Sequence, residues 1–509
     1  KMKKIYITTP IYYVNDLPHI GHAYTSIICD TIKRFYILKG YDAKFLTGTD
    51  EHGLKVEKAA NNKGVLPNKF VDDISKNFIN LSKSLNILND DFIRTTEARH
   101  KKTVESFWNK LVKNNQIYLD KYEGWYSIKD ESFFQEKELL KTNDKYQTID
   151  GGDVEWIKEE SYFFKLSNWE KKLLDYYEKN PDFIKPISRR NEVISFVKSG
   201  LKDLSVSRTS FTWGIKVPNS NKHIIYVWID ALTNYLTAIN FPEIDADNQV
   251  FWKNSHHIIG KDILKFHAIY WPALLMAIDF PLPKTIFAHG WWTNEGKKIS
   301  KSAGNTIEPN HLISKFGLDQ LKYFLIREIT LGQDGDFSEK SFINRINSDL
   351  SNSLGNLISR TIKFTNKHFE NKFPIELDGN ILNSKILVSG YNLIEKYEVN
   401  IINFELNKAL EKVWFFISQL NQYIDKMEPW STIKINKVKT AETLSILIES
   451  IRLIGIILQP FIPEAAKKIL DILNIDNNSR SFKFYNMKYA MKKSHPLNDA
   501  QPLFPRFNV

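Results

Sequence analysis

The segment His19-Ile20-Gly21-His22 sets two imidazoles three residues apart, the spacing that makes side chains neighbours on one helix face. Each imidazole can donate a hydrogen bond to a phosphate oxygen. A helix opening here would add free N–H groups and a partial positive charge, both favourable to phosphate. Gly21, lacking a side chain, would let a nucleotide lie against the backbone. Further on, Lys297-Lys298-Ile299-Ser300-Lys301-Ser302 gathers ammonium groups between Gly296 and Gly304. Such a loop can stabilise charge that develops on a departing pyrophosphate. Alone, the first segment is also a helix start with surface histidines, and the second a solvated basic loop. In this order, each after a strand pattern, they point to nucleotide chemistry.

The elements that must hold these residues follow from periodicity. Residues 4–9 are a β-branched and aromatic run suited to a buried strand. Pro18 stands at a first-turn position, and Ala23, Ile27, Ile28, Ile32, Phe35 and Leu38 fall near one face of a helix over residues 19–38. Gly40 supplies a stop, and residues 43–47 read as a second strand. Strand–helix–strand predicts a parallel, right-handed crossover, hence an α/β sheet. Residues 117–222 interleave charges, aromatics and turn signals such as Gly151-Gly152, which predicts an inserted module rather than a continuation of the sheet. Strand patterns resume at residues 223–229, 256–259 and 285–288. Beyond about residue 338, apolar residues recur at spacings of three and four. Ile343, Ile346, Leu350, Leu354 and Leu357 do so, as do Leu410, Val413, Trp414, Ile417, Leu420 and Ile424. The expected fold is a Rossmann-type parallel sheet (residues 1–116 and 223–337) split by an inserted α+β module (117–222) and followed by an α-helical bundle (338–509).

Composition narrows the class. The 70 Lys and Arg against 59 Asp and Glu leave a net charge of +11, which permits a polyanionic partner without requiring one. With 42% hydrophobic and 25% charged residues, collagen-like, coiled-coil and wholly disordered chains are excluded. Cys29 is the one cysteine, so an internal disulfide and any Cys-pair zinc knuckle are impossible, and a reducing, cytoplasmic compartment fits. Asn15 and Asp16 interrupt the first apolar stretch, which therefore does not read as a signal peptide. Glu449 and Arg452 interrupt residues 446–462, short of the ~20 clean residues of a membrane span.

The two motifs together resemble those of class I aminoacyl-tRNA synthetases, the second being KMSKS with Ile299 in place of Met. Five further segments narrow the resemblance to the methionyl-tRNA synthetase family. They are Thr9-Pro10-Ile11-Tyr12-Tyr13-Val14-Asn15, Gly48-Thr49-Asp50-Glu51-His52-Gly53, Tyr226-Val227-Trp228-Ile229-Asp230-Ala231, Gly260-Lys261-Asp262-Ile263, and His267 through Trp271-Pro272-Ala273-Leu274-Leu275. The resemblance runs from residue 3 to the C-terminus and is to the bacterial type without an appended C-terminal tRNA-binding module, which implies a monomer. It implies that Asp50 pairs with the amino group of methionine. Ile11, Trp228, Ala231, Tyr235, Ile263, His267 and Trp271 would wall the thioether pocket, where aromatic contacts suit a polarisable sulfur. His267 and Tyr235 would either mark the sulfur or satisfy each other. His19 and His22 would hold the phosphates of ATP, and Gly21, Gly260 and Asp262 the adenosine moiety; a helix N-cap is the alternative use of Asp262. Asn356, Arg360 and Trp430 in the helical region resemble anticodon readers, by hydrogen bonds to base edges and by stacking. Without the family, they read as an exposed polar pair and a core tryptophan.

Many relatives carry a zinc knuckle in the insert. Here the insert has no cysteine, and no histidine lies between His100 and His223, so the expectation is a zinc-free insert held by packing alone. Magnesium is expected only with ATP. The implied reaction is activation of methionine by ATP, then transfer to the 3′-terminal ribose of tRNA(Met). Cysteinyl-tRNA synthetase, whose pocket needs zinc thiolates, and the leucyl, isoleucyl and valyl enzymes, with a far larger insert, fit less well. A small nucleotidyltransferase would leave the helical region without a role. A non-catalytic tRNA-binding scaffold would not need His19, His22 and Lys301. Lys301, with Lys298, is expected to stabilise the departing pyrophosphate. We therefore predict that Lys301→Ala lowers the adenylation rate constant ~10²–10³-fold, the scale of losing one donor to developing charge, with ATP affinity changed less. Unchanged ATP–pyrophosphate exchange would remove Lys301 from the mechanism.

Overall fold

Strand β1 (Lys4–Thr8) is buried along all but its first residue, as a strand covered on both faces must be. Six more strands join it: β2 (Tyr12–Tyr13), β3 (Asp42–Asp50), β4 (Asp91–Arg94), β5 (Ile184–Lys185), β6 (Ser255–Gly260) and β7 (Thr285–His289). The computed structural model describes residues 1–14, 17–299 and 304–509. The sheet order is β5-β7-β6-β1-β3-β2, with β4 also on β3. The ladders β1–β6, β6–β7, β5–β7, β2–β3 and β3–β4 are all parallel. The expected α/β class and its helical C-terminal part are thus observed.

Helix α1 (Ile20–Leu38) follows β2, with Pro18 just before it. Its apolar face is the expected one, yet every residue from Ala23 to Lys33 is buried, the polar ones included. Helix α2 (Ala98–Lys113) packs beside helix α3 (Val227–Thr237), whose eleven residues are all buried.

Two compact units emerge. One comprises Lys4–Cys29 and Ala43–His289, the other Lys1–Lys3, Asp30–Asp42 and Gly290–Val509. Within the first unit lies an antiparallel four-stranded sheet, Leu204–Ser205, Glu155–Phe164, Ile117–Ser127 and Ser132–Phe134. It starts where the insert was expected to start. Cross-strand aromatics zip it: Tyr118 stacks on Phe163 at 5.5 Å, and Trp125 meets Trp156 edge-on at 5.1 Å.

Three expectations are corrected here. The insert does not stand wholly outside the main sheet, because Ile184 and Lys185 pair with Ile286 and Phe287 on β7. Residues 223–229 do not resume that sheet. Ile224–Ile225 pairs antiparallel with Ser207–Arg208, and the chain turns directly into α3. Nor is the insert held by packing alone. Its turn at residues 127–131 is closed by Ser127 Oγ donating to Asp130 Oδ2 (2.8 Å) and by the Asp130 N–H donating back to Ser127 Oγ (3.2 Å). The Gly152 N–H donates to Thr148 Oγ1 in the next turn (2.8 Å). Among the described residues, no three His, Cys, Asp or Glu side chains gather as a metal-binding group.

In the second unit, Trp292–Asn294, Lys297–Lys298 and Gly335–Phe337 form a three-stranded sheet. Lys297 and Lys298 are therefore in a hairpin, not a loop; Glu295 and Gly296, both at positive φ, make its two-residue turn. Lys301, Ser300 and Ser302 lie outside the described residues. The expected boundary at residue 337 falls inside this compact unit. Phe324 sits among Trp292 (5.6 Å), Phe337 (5.7 Å) and Phe342 (4.9 Å), so the hairpin sheet shares a core with the helices.

The bundle includes Asn356–His368, Lys385–Ile402, Leu406–Met427, Lys437–Leu458 and Pro463–Ile472. Its buried Glu449 and Arg452 are paired and fully engaged. Tyr391 and the Met491 N–H donate to Glu449 (2.9 and 3.0 Å), and Arg452 also donates to the Phe484 carbonyl (2.7 Å). Among the described residues no helix is long and apolar enough to cross a membrane.

Candidate active site

The carboxyl ends of β1, β3, β6 and β7 carry Thr8, Asp50, Gly260 and His289, the side of a parallel sheet where α/β ligands bind. α1 opens on the same unit. Its first N–H groups are not free, as the sequence had implied. Gly21 N–H donates to His19 Nδ1 (3.0 Å), and His19 N–H donates to His22 Nδ1 (3.0 Å). Both Nδ1 atoms are acceptors, so each neutral ring carries its proton on Nε2. Burial, then the neighbouring His19, pushes the His22 pKa well below the usual imidazole value. The rings lie 4.1 Å apart. The place above Gly21 belongs to His19: a Cβ there would stand 2.8 Å from His19 Cε1. Gly21 thus serves the imidazole before it serves any nucleotide. Downstream on α1, Thr25 Oγ1 meets His289 Nε2 at 2.7 Å, a link to β7 that no sequence signal revealed.

The predicted pocket residues Trp228, Ala231 and Tyr235 share one face of α3. Trp228 lies flat on Phe266 at 3.7 Å and meets Tyr13 and His267 edge-on. His267 stands in a π-helical turn, Phe266–Tyr270, a local widening frequent at functional sites. Its Nδ1 meets the Ile263 carbonyl (3.0 Å), and its Nε2 the Tyr235 hydroxyl (2.7 Å). A carbonyl only accepts, so the ring proton is on Nδ1 and the Tyr235 hydroxyl donates to Nε2. Burial lowers the His267 pKa to about 4, which keeps the ring neutral. Of the two roles left open, Tyr235 and His267 satisfy each other. Trp271 is fully buried behind them and donates to His257 Nε2 (3.3 Å); His257 Nδ1 bonds Thr8 Oγ1 (2.7 Å). His257, stacked on Tyr235 at 4.0 Å, is a support that sequence reading missed. Its only signal was a polar residue inside the apolar run of β6. Ile11 and Ile263 pack half-buried against the same core.

Asp50 ends β3 directly across from Tyr13 on β2. It is buried, and Oδ1 has no hydrogen-bond partner. Burial, then the charges of Asp230 and Glu131, push its pKa well above the usual carboxylate range. Asp230 is the opposite case. Burial works against its charge, but His52 Nδ1 (2.8 Å) and His100 Nε2 (2.7 Å) bracket the carboxylate and hold its pKa near 2. Asp50 thus keeps one buried oxygen unsatisfied, across from Tyr13, which meets Trp228 edge-on.

Asp262 follows β6 in a short turn, its Oδ1 so near that a Cβ on Gly260 would approach to 2.5 Å. In the other unit, Lys298 is exposed with its ammonium 4.2 Å from the Trp291 ring centre. Asn356 and Arg360 are exposed on one helix, and Arg360 donates to Asp425 (3.1 Å) and Asn421 (3.2 Å). Trp430 is 43% exposed, so it is not a core tryptophan.

The family model for class I tRNA synthetases (M) matches residues 5–143 and 140–362, and that for the anticodon binding domain of methionyl tRNA ligase matches residues 383–508. A methionine–tRNA ligase of Rickettsia felis is 54% identical over 505 residues, spanning 99% of this chain and 98% of its own. That of Brucella suis is 45% identical over 506 residues, with 99% and 98% covered. Among solved structures, Mycobacterium tuberculosis methionyl-tRNA synthetase in complex with methionyl-adenylate superposes with a TM-score of 0.96 at 43% identity, covering 99% of this chain and all of that one. The chain belongs to the methionine family of class I tRNA synthetases.

The Tyr235–His267 bond generates a prediction. Tyr235→Phe leaves the buried His267 Nε2 without its donor and should raise the KM for the amino acid by ~10-fold, on the scale of an unsatisfied buried acceptor. The KM for ATP should move by less than about two-fold. Steady-state ATP–pyrophosphate exchange reads both constants, and equal changes would show that the pair only supports the fold.

Proposed function

We propose that this enzyme activates L-methionine with ATP, releasing pyrophosphate, and then transfers the methionyl group to the 3′-terminal ribose of tRNA(Met) for protein synthesis. The buried Asp50 carboxylate, whose Oδ1 has no hydrogen-bond partner, carries the reading. A methionine ammonium would neutralise it, and the thioether would lie among Ile11, Trp228, Ala231, Tyr235, Ile263, His267 and Trp271. With Tyr235 and His267 bonded to each other, this wall offers the sulfur shape and polarisability rather than a committed donor.

In the first step a methionine carboxylate oxygen attacks the α-phosphorus in line. The new C(O)O–P bond forms as the bond to the β-phosphate bridge breaks, and pyrophosphate leaves with its electron pair. The protein contributes position and charge. His19 and His22 would present Nε2–H to the phosphates, Gly21, Gly260 and Asp262 would hold the adenosine moiety, and Lys298 with Lys301 would stabilise the leaving pyrophosphate. Magnesium would arrive on ATP and neutralise its phosphates; the described residues bring no acidic cluster of their own to hold it. In the second step a ribose hydroxyl, the 2′-hydroxyl first, attacks the carbonyl carbon and AMP departs. Asn356, Arg360 and Trp430 would read the anticodon, Trp430 through its exposed face. We read residues 1–116 and 223–337 as the catalytic domain, 117–222 as its zinc-free insert and 338–509 as the anticodon-binding domain, in a cytoplasmic monomer.

ATP–pyrophosphate exchange measured across the twenty amino acids tests the activity: methionine should drive it, and exchange driven better by another amino acid would overturn the reading. Trp430→Ala should reduce charging of tRNA(Met) ~10-fold or more, the scale of one lost base stack, and leave exchange unchanged. Equal damage to both would assign Trp430 to folding.

A further inference from the structure

A second buried acid stands beside the amino-acid site, and the reaction as described gives it no task. Glu131 comes from the insert, at the turn between its first two strands, and is fully buried with its backbone in the left-handed region (φ 45°). Non-glycine residues hold that conformation where the surroundings demand it. Its carboxylate reaches back to the segment that follows Asp50. Oε1 accepts the backbone N–H of Lys55 (2.7 Å). Gly53 permits the approach, for a Cβ at that position would lie 2.4 Å from Oε1 and 2.6 Å from Oε2. Oε2 has no hydrogen-bond partner.

The surroundings are those of the Asp50 pocket. Lys55 extends over the Tyr13 ring, its Nζ 4.9 Å from the centre. Tyr13 is the cross-strand neighbour of Asp50 and touches Trp228 edge-on. The Tyr13 hydroxyl and the Trp228 indole N–H are also buried without partners. The charges of Asp50 and Glu131 both act on Tyr13. The charge of Glu131 is among the causes that raise the Asp50 pKa, and burial raises that of Glu131 itself to about 7. A helix cap needs only Oε1; a capping role leaves Oε2 unexplained.

We infer that Glu131 is a second carboxylate for the substrate ammonium, so that the inserted module completes the amino-acid site opened by Asp50. An ammonium has three donors, and one carboxylate oxygen of Asp50 cannot use them all. The inference rests on the methionine-activating reading above.

The test compares ligands that keep or lack the amine: methioninol, which has the ammonium but no carboxylate, and 4-(methylthio)butanoic acid, which has the carboxylate but no ammonium. Glu131→Gln retains an oxygen for the Lys55 N–H and removes the charge. Calorimetry should show methioninol weakened ~10-fold or more, as for loss of a charge-assisted hydrogen bond, and the desamino acid bound as by the unsubstituted enzyme. Unchanged methioninol binding, or equal loss for both ligands, would overturn the inference. Should Glu131→Gln not fold, Glu131→Asp is read in the same way, with an amine-selective loss of ~3-fold or more expected and an equal loss or none overturning it. Methionine-dependent exchange by the unsubstituted enzyme is run beside these titrations. Its absence would sink the functional reading, whereas its presence with an indifferent Glu131→Gln would sink only the role of Glu131.

Discussion

An acid buried without a cation is the constraint around which the first unit is arranged. Asp50 sits at the end of a strand covered on both faces, where water cannot solvate a charge. The neighbouring Asp230 would make matters worse if it were bare. Instead His52 and His100 enclose it, so its charge is answered locally while that of Asp50 is left open. His52 belongs to the segment after β3, His100 to α2 and Asp230 to α3. One buried carboxylate therefore ties together three stretches of chain. A cation beside Asp50 would offset the cost of burying its charge.

Elsewhere in the predicted pocket wall the opposite holds, for its tyrosine, histidines and buried Trp271 satisfy one another. Trp271 donates to His257, which bonds Thr8; Tyr235 donates to His267, which donates to the Ile263 carbonyl. Burial keeps both imidazoles neutral. These chains fix ring orientations and tautomers, and they leave toward the ligand a surface of ring faces and edges. A thioether, a weak acceptor with a large polarisable sulfur, is suited to such a surface. The phosphate side works by the same economy. His19 and His22 have their Nδ1 atoms committed to backbone N–H groups, which fixes both ring tautomers.

The insert is shaped by polar bonds and ring contacts together. Two hydrogen-bonded turns and a row of cross-strand aromatics hold it, and its first turn carries Glu131 back to the Asp50 segment. In the second unit, the hairpin that bears Lys298 is fused to helices through the Phe324 cluster rather than hung as a free loop.

Much of this was legible from residues alone. Strand β1 follows from a β-branched and aromatic run, helix α1 and the helical C-terminal part from apolar spacings of three and four, and the start of the insert from a change of composition, all local properties of the chain. Asp50, Trp228 and the paired histidines stood in recognisable segments. What the residues could not reveal were relations between distant segments. The edge strand Ile184–Lys185 is two residues long, too short for any period, and exists because β7 offers it a partner. Residues 223–229 have the composition of a strand, yet the last three became helix because α3 is buried on all sides, where apolar residues carry no period at all. That His267 spends its acceptor on Tyr235, that Glu131 reaches Lys55, and that Gly21 yields its space to His19 depend on distances fixed only when the sheet, its helices and the insert pack together. Sequence determined the elements and the chemistry available to them; tertiary structure decided which polar groups found partners and which were left open for a ligand.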